Sequence, residues 1–447
     1  MFKKIEVWVL YLVVLVFIVL TIFFGVLVRQ ELVGSTKLGK VSKFALFLSE
    51  IPMNLKKIYS VAKDPGIDSG VGFRFKNKTG FFGKYDKNNH YLLLSRYDGN
   101  LSESIVELIR LNDFKVINRW NPEINKINNR IDKTRDEYLL LDRDLNEYRY
   151  NIHAPLLTND GGLIIHSHGS ALVKIDKCNN TVWVNDIDHF HHSAEEDTDG
   201  NYWIPSRIYP YSIDEKKVGK KYGDFFDDAI TKVSGDGEIL YQKSVTQILL
   251  DNHLDHLVFS DYVFHGDPIH LNDIEPVNFD GKFWRKGDVF LSIRNLSMIV
   301  LYRPSTNEII KMLRSPNFSF QHDVDILDKK TISIFNNNLY NTSKGQRIFT
   351  TSEIIGYDFE EDKYFKIHNS SMKKYNMKTN FGGLYQRLND GSYMIEEQEH
   401  GRIMLFNSND DLIWEYVNKS DDGKVYVLRW SRIIQDEKII KNFKKLV

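Results

Sequence analysis

The sequence predicts an all-β fold, a six-bladed β-propeller, preceded by an N-terminal transmembrane helix and a short helical connector. Three observations carry that prediction. One long apolar run lies near the N-terminus, paired hairpin patterns recur six times, and short β-branched or aromatic runs alternate with Asp-Gly and Asn-rich turns.

Residues Val7 to Val28 are apolar and free of charge, about the 20 residues that a spanning helix needs. Lys3 and Lys4 precede the run as in a signal peptide, but a signal core is only about 7 to 15 residues long and ends at a small-residue cleavage site, which is not found here. An uncleaved anchor over residues 1–29 is therefore expected. Arg29, Lys37, Lys40 and Lys43 on the far side balance Lys3 and Lys4, so charge does not orient it. Residues 30–69 carry amphipathic stretches (Phe44 to Leu48, Asn54 to Tyr59) that read as a helical stalk or membrane-surface helix. The propeller is expected over 70–435 and a basic, solvated tail over 436–447.

Six segments share a strand, a polar turn and a second strand; they begin at Val106, Ala171, Ala229, Met298, Glu353 and Arg402. Most follow another hairpin, as at His153, His192, His322 and Gly383. Two hairpins make a four-stranded sheet, and a ring of such sheets protects most edges. Val425 to Arg429 reads as a closing strand.

Turn chemistry points to a site. If Asp160-Gly161, Asp199-Gly200 and Asp390-Gly391 form two-residue turns, counting outward pairs His153 with His168, His192 with Arg207, and Gly383 with Gln398. Lys329-Lys330 likewise pairs His322 with Asn337, and a longer turn pairs His270 with Arg294. One set of strand ends would then present His153, His168, His192, Arg207, His270, Arg294, His322 and Asn337. Imidazoles with a guanidinium suit an oxyanion, and a neutral histidine can act as a nucleophile.

Composition narrows the alternatives. Lys+Arg total 59 against Asp+Glu 60, a balance that disfavours a nucleic-acid partner. The single Cys178 excludes an internal disulfide and a cysteine-based metal site. No P-loop pattern supports nucleotide-driven transfer. No cofactor and no metal are expected, since Arg294 amid the cluster would repel a divalent cation.

The motifs HHSAEEDTDGNYWI at His191, DPIHLNDIEPV at Asp267, VFLSIRNLSMIVLY at Val289 and FQHDVDILDKKTISIFNN at Phe320 resemble those of bacterial arylsulfotransferases, over roughly residues 80 to 420. The resemblance implies a six-bladed propeller that moves a sulfuryl group from a phenolic sulfate ester to a phenol or other hydroxyl acceptor. The implied route is ping-pong, through a sulfohistidine, without a nucleotide donor. It implies His322 as nucleophile, His270, Asn272 and Arg294 as holders of the sulfuryl oxygens, and His192 as a further active-site histidine. His192 or His270 would protonate the departing phenolate. The strand-end count adds Arg207, His168 and Asn337 as substrate-binding candidates.

Two segments are expected to reshape the mouth: the insertion Phe279 to Gly287 and the charged, helical stretch Asn121 to Tyr150. An anchor through residues 7–28 would place the domain at the periplasmic or extracytoplasmic side of a membrane. Two other readings stay open: a non-catalytic envelope propeller that binds an anionic ligand or scaffolds partners, and a metal-dependent lyase or hydrolase.

Overall fold

A computed structural model describes residues 6–32, 39–63, 70–72, 74–75, 77–86, 88, 90–260, 264–314, 316–343 and 345–435. The expected basic tail, 436–447, lies outside the described residues. The chain divides into two compact units, Met1–Ile67 and Asp68–Val447.

The first unit holds two helices, α1 (Val7–Leu32) and α2 (Gly39–Lys63). Over Val7–Gln30, α1 is long and apolar enough to cross a membrane, and its apolar side chains are almost all exposed. The exceptions include Leu27, buried along with Ala45 and Ser42 of α2. The connector is one helix in its described part, and Val41, Phe44, Leu48, Ile51 and Leu55 form an exposed apolar stripe along it.

The second unit is mostly β, antiparallel and propeller-like. Six separate four-stranded sheets were expected. Among the described residues there are four separate sheets of four or five strands, one of eight and two of two. In the eight-stranded sheet, His153–Phe190 supplies one half and Glu195–Ser244 the other; they join only where Ser206 meets Phe190 and Arg207 meets His189. All six recurrent hairpins form antiparallel pairs.

Apolar seams between neighbouring sheets form the core. Trp284, Phe290 and Ile299 meet Ile332, Ile334 and Tyr357 in one seam; Phe335 and Ile354 meet Tyr385 and Ile395 in the next. Inner strands such as Leu163–His166, Val289–Ile293, Thr331–Asn336 and Tyr393–Glu397 are thus buried on both faces, whereas outer strands such as Glu308–Arg314 are partly exposed, which accounts for inner runs more continuously apolar than a one-sided sheet requires. Carboxylates stitch the seams. Asp273 accepts from the Val324 N–H at 2.9 Å, Asp323 from Tyr385 at 2.9 Å, and Glu396 from Trp430 and Ser431, both at 2.8 Å. Asp323 is therefore buried and structural.

Closure differs from the expected strand Val425 to Arg429. Arg432–Ile434 pairs with Tyr91–Leu93 in the first sheet, whereas Val425–Tyr426 pairs with Gly70–Gly72. Gly80–Gly83 adds to the outer edge of the last sheet. Both chain ends of the unit thus contribute strands at the junction of first and last sheets. Arg432 also forks onto both carboxylate oxygens of Glu195, at 2.9 and 2.7 Å.

Registers shift by one residue from those expected. Thr158 N–H donates to Gly162 O at 2.9 Å and Gly161 N–H to Thr158 O at 2.9 Å, with Gly161 at φ 80°. The loop has three residues and ends on a left-handed glycine, where a two-residue turn had been counted. Asp199-Gly200 and Asp390-Gly391 behave alike. A further irregularity between His153 and Leu156 brings His153 opposite His166 instead of His168, and Arg207 meets His189 of the preceding strand Thr181–Phe190 instead of His192.

Candidate functional site

A residue with left-handed backbone stands near the start of each first strand: Ala154, His192, His270, Phe320, Gly382 and Trp430, with φ between 41° and 67°. For residues other than glycine this conformation costs about 1 kcal/mol or more. Its recurrence bends the chain similarly at successive strand entrances. The residues beside these bends converge on a cavity of about 460 Å³.

His192 is the hub. Its ring centroid lies 4.5 Å from His168, 4.9 Å from His191, 5.0 Å from His270, 6.0 Å from His153 and 6.4 Å from His322. Its carbonyl receives His153 Nδ1–H at 2.8 Å. Burial pushes the His192 imidazolium well below the ordinary histidine range, and His168 and other nearby imidazoles add to this. Burial does the same to His153, reinforced by Arg429. The cluster is thus largely a set of neutral rings.

His322 is 3% exposed. Its Nδ1 lies 2.7 Å from Asn337 Oδ1, and the Gly382 N–H donates to its Nε2 at 2.9 Å. The Asn337 amide nitrogen donates to Thr379 O at 2.9 Å and Gly382 O at 2.8 Å, which fixes the amide oxygen toward His322. These bonds select one tautomer: Nδ1 carries the proton and Nε2 the lone pair. Burial, followed by the charge of Arg294, holds the His322 imidazolium well below the ordinary range.

His270 and Arg294 face each other across a strand pair; Arg294 N–H donates to His270 O at 3.1 Å. His270 Nδ1 lies 2.6 Å from Asp267 Oδ2. Arg294 is braced by Asn295 Oδ1 at 2.9 Å and Gln346 Oε1 at 3.1 Å, above the Phe320 ring at 5.1 Å. Burial lowers its pKa despite the nearby Asp267, the signature of a guanidinium whose charge is only partly matched.

His192, His270, Arg294, His322 and His168 all line the cavity. Asn272, Arg207 and Asn337 do not. Asn272 is fully buried and donates to the Gln321 carbonyl at 2.9 Å. Arg207 contacts Asp228 at 3.2 Å over the Phe226 ring and lines a neighbouring cavity. Asn337 stands behind His322. The insertion Phe279 to Gly287 lies at the far end of the strand Leu271–Pro276, about 20 Å from the His270 end; Trp284 within it packs on Phe359 at 5.2 Å. It does not reshape this mouth. Asn121 to Tyr150 does reach the wall through Asp144, Leu145 and Arg149, as short helices Ile124–Asn128 and Leu141–Asp144 joined by loops.

A family model described as arylsulfotransferase (ASST) matches residues 154–419, more than half of the chain. The chain belongs to the arylsulfotransferase family. The matched span contains His192, His270, Arg294 and His322 and excludes α1, the wall segment 121–150 and Arg429. No curated protein matches the chain. Similar solved structures include a protein of unknown function from Bacteroides caccae, at 10% identity and TM-score 0.47, covering 78% of this chain and 100% of that one. Virginiamycin B lyase from Staphylococcus aureus aligns at 10% identity and TM-score 0.36, covering 64% and 85%. Overlaps this loose carry no argument about chemistry.

The fold adds wall residues that the family-like motifs do not contain: Arg149, Ser167, Gly382, Gln398 and Arg429. Gln398 had a readable signal in its strand-end pairing with Gly383, Arg149 in the stretch Asn121 to Tyr150, and Asp267, behind His270, in being an acid three residues before it. Gln346 comes from an added hairpin, Leu339–Thr342 with Gly345–Ile348, which the sequence reading did not identify. Among the described residues no group of three His, Cys, Asp or Glu side chains is placed to hold a metal ion.

Proposed function

We propose that this arylsulfotransferase moves a sulfuryl group from a phenolic sulfate ester to a phenol or other hydroxyl acceptor through a sulfohistidine at His322. The supporting observation is the tautomer: Asn337 holds the Nδ1 proton, so the lone pair belongs to Nε2, beside Arg294 in the same wall. A neutral imidazole with a defined lone pair is what nucleophilic attack on sulfur requires. Nε2 exchanges its bond with the Gly382 N–H for one with sulfur as the sulfur–oxygen ester bond breaks. Arg294 and His270 hold the sulfuryl oxygens, and His270, paired through Nδ1 with the Asp267 carboxylate, gives a proton to the departing phenolate. In the second half-reaction the acceptor oxygen takes sulfur from Nε2, its proton passes to the same histidine, and His322 returns to the neutral state. Asn272 acts from behind, by holding the Gln321 carbonyl next to His322.

The eight-stranded sheet counts as two blades in this reading, making six; the six left-handed strand entrances support that count. Residues 70–435 form the propeller and α1 the anchor, with the propeller on the periplasmic or extracytoplasmic side.

Incubation with 4-nitrophenyl sulfate followed by intact-mass measurement tests the chemistry. A sulfuryl adduct on wild type that is absent from His322→Ala supports it. No adduct and no acceptor-dependent nitrophenolate release across several donors would leave an anion-binding propeller instead.

A further inference from the structure

Two cavities meet at His168. The second, about 480 Å³, opens beside the imidazole cavity and shares His168, Asp144 and Leu145 with it. The first is already large enough for a small ligand, so the second provides room for a longer one.

The second cavity is built by a segment that the family match does not include. Tyr138 anchors it: its hydroxyl donates to Asp188 O at 2.6 Å and its ring packs edge-on against His189 at 4.6 Å. Arg135 donates to the carbonyls of Asp186 and Ile187. So pinned, the following Leu139 and Leu140 remain 58% and 51% exposed while lining the cavity. Adjacent exposed leucines on an anchored loop leave apolar surface in water that a ligand would cover. Of the polar residues that line it, Tyr222 is hydrogen-bonded to His189 Nδ1 at 2.8 Å, Arg207 is matched by Asp228, and Glu137 and Asp144 are paired with Arg135 and Arg143. The polar groups are therefore largely engaged, and the leucines supply open apolar surface.

We propose that this cavity is the subsite for the organic body of an extended substrate, an aryl sulfate or phenol whose reacting oxygen lies at His322 and whose apolar substituent runs past His168 beneath Leu139, Leu140 and Leu145. The proposal rests on the sulfuryl-transfer reading. Because the acceptor oxygen takes the place vacated by the phenolate, donor and acceptor use the subsite in turn.

The test compares 4-methylphenol with 4-hexylphenol as acceptors, which are equally nucleophilic, with 4-nitrophenyl sulfate as the common donor. Each buried methylene is worth about fourfold, so kcat/KM for 4-hexylphenol should exceed that for 4-methylphenol by about tenfold or more. Leu140→Asp, at an exposed position, should abolish the difference while leaving 4-methylphenol within about twofold. Equal values in wild type, or equal slowing of both acceptors by Leu140→Asp, would overturn the subsite while leaving the transfer reading intact. If the donor does not sulfate the enzyme, the transfer reading fails by itself. Calorimetric binding of 4-hexylphenol then decides the subsite: binding to wild type and loss in Leu140→Asp supports it, and no binding to wild type removes it.

Discussion

Replacing Asn337 with alanine removes three hydrogen bonds at once: the acceptor for His322 Nδ1–H and the donors to the Thr379 and Gly382 carbonyls. Asn337 is fully buried, so water does not readily replace them. At about 1 kcal/mol for each stranded group, the variant should lose about 3 kcal/mol of stability. Loss of tautomer selection should slow sulfation of His322 by about 5- to 150-fold, the equivalent of 1 to 3 kcal/mol in a barrier. The measurement is the burst of nitrophenolate on rapid mixing with 4-nitrophenyl sulfate, alongside a thermal melt. Asn337→Asp loses the same two donors to the Thr379 and Gly382 carbonyls but keeps an acceptor for Nδ1–H, so its comparison with alanine isolates the contact to His322. Its carboxylate would favour the imidazolium, so the folded pKa of His322 rises and the neutral, reactive form is lost as pH falls. In wild type that pKa lies well below 6.5, and sulfation should stay flat between about pH 8 and 6. An acid-side fall in Asn337→Asp but not in wild type is therefore expected. A folded Asn337→Ala with an unchanged burst rate would refute the tautomer argument.

Three further outcomes follow from other parts of the molecule. Gly382→Ala should destabilise the fold by about 1 to 2 kcal/mol, since Gly382 has φ 67° and an added Cβ would lie 2.2 Å from Gln398 Oε1; its burst rate should fall as well, and a wild-type melt would contradict this. Burial, with help from Glu195, raises the Asp273 carboxyl to about 7, so Asp273 contributes stability at low pH that is lost as pH rises through about 7. Asp273→Asn keeps an oxygen for the Val324 N–H without the charge, and its melting temperature relative to wild type should be higher at pH 8 than at pH 5; an equal difference at both pH values would count against the assignment. Deleting residues 7–28 should move the protein from the membrane pellet to the supernatant on fractionation, and retention in the pellet would remove α1 as the anchor.

Local patterns proved legible where the responsible interaction is local. The apolar run over α1, the six second hairpins and the pairing of His270 with Arg294 could all be read from residue order. Register could not be read fully, because Asp-Gly serves both two- and three-residue turns; the left-handed glycine at Gly161 closes the longer one. One added residue moved the expected partner of His153 by two positions, helped by a bulge before Leu156.

The sequence alone determined the kinds of chemistry available: a set of imidazoles, one motif arginine and an apolar anchor, with no thiol pair; burial in the fold is what makes the imidazoles neutral. Which of those side chains share a cavity was decided by the tertiary structure. Asn272 and Asn337 sit in motifs as promising as that of His270, yet ring packing turns both behind the wall, where they hold the Gln321 carbonyl and His322. Arg429 carries no motif and lies in the cavity wall just before the closing strand Arg432–Ile434, which returns to the first sheet. The physical reason is separation along the chain. Periodicity and turn chemistry act over a few residues, whereas the carboxylate stitches and apolar seams that aim the cavity side chains join segments that only closure of the ring brings together.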